Sequence, residues 1–93
     1  MMGEGRGAPA NPHATAALRS VIEVVARALV DHPDAVKVAD SHRRGMTVLE
    51  LSTAPGDMGK IIGRQGRTAA ALRTLVALTA EKQGVRAQLD IRD

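Results

Sequence analysis

The chain has 93 residues, a net charge of +3, no cysteine, and no Phe, Tyr or Trp. That length makes one domain, and the missing thiols exclude disulfides and thiolate zinc sites. The missing rings exclude base stacking on aromatic side chains, which RNA-recognition motifs and many OB-folds use.

Residues 1–13 are rich in Gly, Pro and Ala and are predicted to form a flexible tail, with the folded domain over 14–93. Met1 to Ala10 has no apolar core and does not read as a signal peptide. No apolar run reaches the length of a membrane span, and the cytoplasm is the expected compartment. Asn11-Pro12 has the form of a helix start, with Asn as cap and Pro in the first turn. Leu18, Val21, Ile22, Val25 and Leu29 follow at helical spacing, and Arg19, Glu23 and Arg27 alternate in sign on the other face. This first helix is predicted from Ala14 to Val30. Pro33 stops it by pushing His32 out of the helical region.

Val36 and Val38 alternate with Lys37 and Ala39 as a short strand, and Ser41 to Gly45 reads as a polar turn. Met46 to Thr53 is a second strand, with Leu49 and Leu51 on one side and Val48, Glu50 and Ser52 on the other. The hairpin-length connection makes the pair antiparallel. Asp57 is placed to cap a short helix over Met58 to Ile62. Gly63 to Gly66 then turns the chain into a long helix from Arg67 to about Gln83. Its expected buried stripe is Ala69, Leu72, Leu75, Val76, Thr79 and Ala80. Gly84 fits a helix C-cap, and Val85, Ala87, Leu89 and Ile91 alternate with polar residues as a last strand. The core must come from eight Leu, nine Val and four Ile with some Met and Ala, side chains suited to helices on one side of a small sheet.

The chemistry concentrates in one place. Gly63-Arg64-Gln65-Gly66 follows two isoleucines, precedes a helix, and has Lys60, Arg64, Arg67 and Arg73 around it with no acidic residue from Met58 to Ala80. A turn without Cβ atoms at its ends lets a phosphate approach main-chain N–H groups. The first free N–H groups of the following helix are expected to point outward there, with the positive end of the helix dipole. Of Ile61 and Ile62, one is expected in the core and one beneath an apolar groove. A Gly-x-x-Gly string alone is weak, since it also marks ordinary turns between helices; its surroundings strengthen it.

Ile61-Ile62-Gly63-Arg64-Gln65-Gly66 resembles the signature of KH domains, and the order α-β-β-α-α-β resembles their type II arrangement. More narrowly, Ala-Leu-Val-Asp-His-Pro-Asp-Ala-Val at 28–36 and Ala-Pro-Gly-Asp-Met-Gly-Lys-Ile-Ile-Gly-Arg-Gln-Gly-Arg at 54–67 resemble the small single-domain bacterial KH proteins of the KhpA type, over about residues 15–92. The resemblance implies an α+β fold with a three-stranded sheet and helices packed on one face. It implies single-stranded RNA in a groove, contacted by Lys60, Ile62, Gly63, Arg64, Gln65, Gly66 and Arg67 over about four nucleotides. It further implies weakly selective binding, a role as RNA chaperone or post-transcriptional regulator linked to cell elongation and division, and no cofactor. The implied partners are a second copy and a larger KH protein of the KhpB (Jag or EloR) type. Ala69 departs from common KH sequences, which often carry a large aliphatic there; it offers less apolar surface to a base.

Other readings are weaker. His13, His32 and His42 show no metal-site spacing, and no catalytic constellation or P-loop is present, so an enzyme is not expected. Arg43 and Arg44 are either a solvated turn or an extension of the RNA track from the far end of the sheet. Ala69-Ala70-Ala71 fits a close-packed dimer or plain helix propensity. The alternative to an RNA-binding module is a protein-interaction subunit of a KH dimer with incidental RNA affinity.

Overall fold

The computed structural model describes residues 11–92; of the predicted tail over 1–13, residues 1–10 lie outside them, while Asn11, Pro12 and His13 form the cap and first turn of a helix. Helix α1 (Pro12–Leu29) begins two residues earlier than its periodicity suggests, because its cap is Asn11, whose side chain accepts the Ala14 N–H at 3.1 Å. Its buried face is Ala14, Thr15, Leu18, Ile22 and Ala26, with Val21 and Val25 partly buried against the core. Leu29, expected in that stripe, is exposed in the last turn. The expected charge ladder is divided. Glu23 and Arg27 lie 4.0 Å apart, while Arg19 leaves the helix surface and donates to Asp40 in the sheet.

Strands β1 (Lys37–Arg43) and β2 (Met46–Ser52) pair antiparallel, and β3 (Arg86–Ile91) pairs parallel with β2, giving the order β1-β2-β3. β1 is longer than predicted. Asp40 and His42 continue it on the helix side, where each has a partner: Asp40 accepts from Arg19, and the His42 ring lies 3.6 Å from Asp40 and 3.2 Å from Thr47 Oγ1. The predicted five-residue turn shrinks to Arg44 (φ 52°) and Gly45 (φ 77°), two positive φ values that match the twist of a two-residue hairpin.

The two leucines of β2 predicted to share a face, Leu49 and Leu51, are fully buried, and they pack with Leu18 and Ile22 of α1, Leu89 of β3, and Ile61, Leu72 and Val76 from the helices that follow β2. Those helices are α2 (Met58–Ile62) and α3 (Arg67–Gln83). The stripe that α3 buries is Ala69, Leu72, Val76 and Ala80, and Leu75, expected in it, faces outward at 37% exposure. The whole is the α+β arrangement expected of a KH domain, with α1 and α3 packed on the sheet. No described helix is long and apolar enough to cross a membrane.

Because β2 and β3 are parallel, α3 must return the chain along the sheet before β3 begins. The turn between α2 and α3 therefore lies toward the C-terminal ends of β2 and β3. The β1–β2 hairpin and the start of β3 lie at the opposite end.

Candidate nucleic-acid interface

The segment entering the turn is anchored by a residue whose role differs from its prediction. Asp57 stands at the start of α2, yet its carboxylate caps no α2 amide. It turns inward, 2% exposed, and its Oδ2 accepts the His32 N–H at 3.0 Å and lies 3.1 Å from the His32 ring Nδ1. Burial on its own would raise the Asp57 pKa. The His32 N–H, the His32 ring, the Asp31 N–H and the charge of His32 outweigh it and hold the group below its ordinary value of 3.8. The start of α2 is thereby fastened to the chain leaving α1.

Along α2 the two isoleucines separate. Ile61 is fully buried and Ile62 is 40% exposed beside the turn. Gly63 (φ 75°, ψ 174°) permits what no other residue would: a Cβ there would stand 2.2 Å from Thr68 Oγ1 and 2.7 Å from Thr68 Cβ. Gly66 (φ 73°) has open space where its Cβ would be, and its N–H closes the turn on the Gly63 carbonyl at 3.1 Å. Arg64, Gln65 and Arg67 are exposed, and Gln65 adopts a positive φ of 58°.

One amide of the expected set is closed. The first N–H of α3, that of Arg67, is taken by the Arg64 carbonyl. The N–H groups of Arg64 and Gln65 have no hydrogen-bond partner among the described residues. Donors for an anion therefore sit in the turn itself, one step ahead of the helix.

Its rim is cationic but not free of anions. Lys60 Nζ lies 3.3 Å from Asp31 Oδ2, an acid brought in from the end of α1 that the local sequence did not reveal. Among the described residues no carboxylate lies within 4.0 Å of Arg64, Arg67 or Arg73. Arg73 leaves the turn's immediate surroundings and lines a shallow cleft between α3 and β3 with Ala87, Gln88, Leu89 and Asp90. The expected site did not include that cleft, since only the parallel pairing of β3 brings residues 87–90 beside α3. No group of three or more acidic or histidine side chains that could hold a metal occurs among the described residues.

Comparison with known proteins finds a matching family model and several relatives. Residues 19–91 match a family model described as KhpA/KhpB, KH domain. The chain is 50% identical over 76 residues to the RNA-binding protein KhpA of Halalkalibacterium halodurans, covering 82% of this chain and 100% of that protein. It is 53% identical over 70 residues to the RNA-binding protein KhpA of Leifsonia xyli, covering 74% of this chain and 88% of the relative. To the protein of that name in Aquifex aeolicus it is 41% identical over 75 residues, covering 81% of this chain and 95% of the relative.

Proposed function

The chain belongs to the KhpA/KhpB family of KH domains, and from that premise we propose that it binds single-stranded RNA through the Gly63–Gly66 turn. One observation carries this reading: two exposed residues, Arg64 and Gln65, hold amides with no partner among the described residues, in a turn closed by glycines. A backbone phosphate takes those N–H groups. Arg64 and Arg67 supply charge-assisted bonds from guanidinium groups that match a phosphate's geometry. Lys60 joins when it exchanges Asp31 for phosphate, a small cost because exposed ion pairs are worth about 0–1 kcal/mol. Ile62 gives a base an apolar surface in place of an aromatic one. Arg73 and the α3–β3 cleft continue the path for about four nucleotides.

Contacts of this kind fix the strand without reading it, so binding is broad in sequence. The relatives' printed name, RNA-binding protein KhpA, supports RNA as the ligand. The wider role we propose rests on the family resemblance. It is that of a non-catalytic cytoplasmic RNA chaperone or post-transcriptional regulator linked to cell elongation and division. The test is Arg64→Asp with Gln65→Asp. Both side chains are exposed, so the unfolding midpoint should stay within a few degrees while RNA binding and in-cell RNA crosslinking are lost. A folded double variant that still binds RNA would overturn the reading.

A second reading, a protein-interaction subunit, has its own observation. On α3, Leu75 and Leu78 are 37% and 57% exposed, and with Ala71 they make a stripe at helical spacing that a partner helix can approach. The proposed partners are a second copy and a larger KH protein of the KhpB type. Leu78→Glu should then shift light-scattering mass toward the monomer over a concentration series without weakening RNA binding at the turn.

A further inference from the structure

The face of the sheet turned away from the helices carries a second cationic feature, which the turn does not use. Side chains alternate along each strand. Val38, Leu49 and Leu89 pack toward the helices, so Arg43 of β1, Met46 and Val48 of β2, and Arg86 and Gln88 of β3 share the open face. The register sets Arg43 opposite Met46 and Met46 opposite Arg86. Two strand spacings put the Arg43 and Arg86 backbones roughly 10 Å apart. Arg44 joins them from the hairpin turn, and Arg43, Arg44, Met46, Val48 and Gln88 line one shallow depression. Val48 closes its floor at 4% exposure. All three arginines are exposed, and among the described residues none lies within 4.0 Å of a carboxylate. The other end of the same face is mixed in sign, with Arg92 lying 4.0 Å from Glu50.

We propose that Arg43, Arg44 and Arg86 form a second phosphate-binding patch that holds the backbone of a longer RNA strand. This inference rests on the RNA-binding reading above. The patch suits a nucleic acid better than a protein. Protein interfaces center on large apolar or aromatic anchors, and the exposed large hydrophobic residues Val24, Leu29, Ile62, Leu75 and Leu78 all belong to helices. The open face instead offers guanidinium groups around a closed floor, which fits a chain of phosphates. α3, with 17 residues, spans about 25 Å between the turn and the start of β3. A strand of four nucleotides seated along the turn and the α3–β3 cleft ends at Gln88, the border of the patch, short of the three arginines. Only a longer strand passing around the sheet edge fills both.

The experiment compares oligouridylates of about 4 and 20 nucleotides on the full chain, by fluorescence anisotropy over a salt series. The variants are Arg43→Gln/Arg44→Gln/Arg86→Gln and, separately, Arg64→Asp/Gln65→Asp. The triple variant should bind the 20-mer about tenfold or more weakly, and its slope of log K against log salt should be shallower by about 2. Its affinity for the 4-mer should be unchanged. Unchanged 20-mer affinity and slope would overturn the proposal and leave the patch to an acidic protein partner. An equal loss on both lengths would overturn it too, since that reports a change in overall charge or in the fold. Loss of 4-mer binding only in the loop variant upholds the turn independently of the patch. A wild type that binds neither length removes both.

Discussion

Asp57 and His32, 25 residues apart in sequence, are joined by one carboxylate oxygen that accepts the His32 N–H at 3.0 Å and faces its ring Nδ1 at 3.1 Å. A carboxylate can only accept, so the ring contact is a hydrogen bond in the forms of His32 that carry a proton on Nδ1. The contact ties the segment 28–36 to the segment 54–67, the two strings by which the chain resembles its family. It gives Asp-His-Pro a role after α1: the helix is over at Leu29 with Val30 already extended, Pro33 starts a 3₁₀ turn, Pro33–Ala35, and the His32 N–H just before it is taken by Asp57.

The pH dependence of this link has a definite sign. The folded pKa of Asp57 is below the unfolded value of 3.8, so its contribution to stability is complete above that value. It is lost as pH falls through the folded pKa. Asp57→Ala should unfold at a lower temperature than wild type at pH 7, and the gap should narrow as pH drops below about 4. Midpoints of both proteins from pH 7 to pH 2 check this; a gap that stays constant would show that the carboxylate charge does not matter.

The two glycines of the turn should respond differently to alanine. At Gly63 the added Cβ meets Thr68 side-chain atoms at 2.2 and 2.7 Å in a backbone region open essentially to glycine only, a strain of about 1–3 kcal/mol before the clash is counted. At Gly66 the Cβ meets nothing, and the left-handed conformation alone costs about 1–2 kcal/mol. Denaturant melts should therefore rank Gly63→Ala below Gly66→Ala, and the reverse order would contradict the close approach of Thr68.

Ile61 and Ile62 should separate stability from binding. Ile61→Ala empties a fully buried position and should cost about 2–5 kcal/mol. Ile62→Ala, at 40% exposure, should cost about 1 kcal/mol, in proportion to its partial burial, while weakening RNA binding. Equal stability losses in the two variants would mean that both side chains belong to the core.

RNA affinity should depend on salt. About four phosphate contacts to a single strand give a slope near −2.8, so a fourfold rise in salt weakens binding about 50-fold. Titration of a short oligonucleotide over a salt series measures it, and a flat response would point to contacts other than the phosphate backbone.

Much of the fold was legible because local physics dictated it. The span of α3, Arg67–Gln83, follows from helical composition bounded by Gly66 and Gly84. Leu49 and Leu51 announce a buried face by their period of two, and both are fully buried. The errors fall where residues distant in sequence meet. β1 runs past its apolar residues because Asp40 and His42, which have no local reason to sit in a strand, find Arg19 and Thr47 there. Asp57 has the sequence of a cap, but its partner lies on another segment. Leu75 fits a buried stripe by spacing, yet spacing cannot say which side of a helix the sheet will cover.

The sequence by itself settled the family resemblance, the order of the elements, and the place where a phosphate-sized turn would stand, because glycine spacing and hydrophobic period are local properties. The tertiary structure decided which amides stay open, which acid neutralises Lys60, and which arginines gather on the helix-free face. Those depend on strand register and on the return of α3 along the sheet, and neither is written in any single stretch of chain.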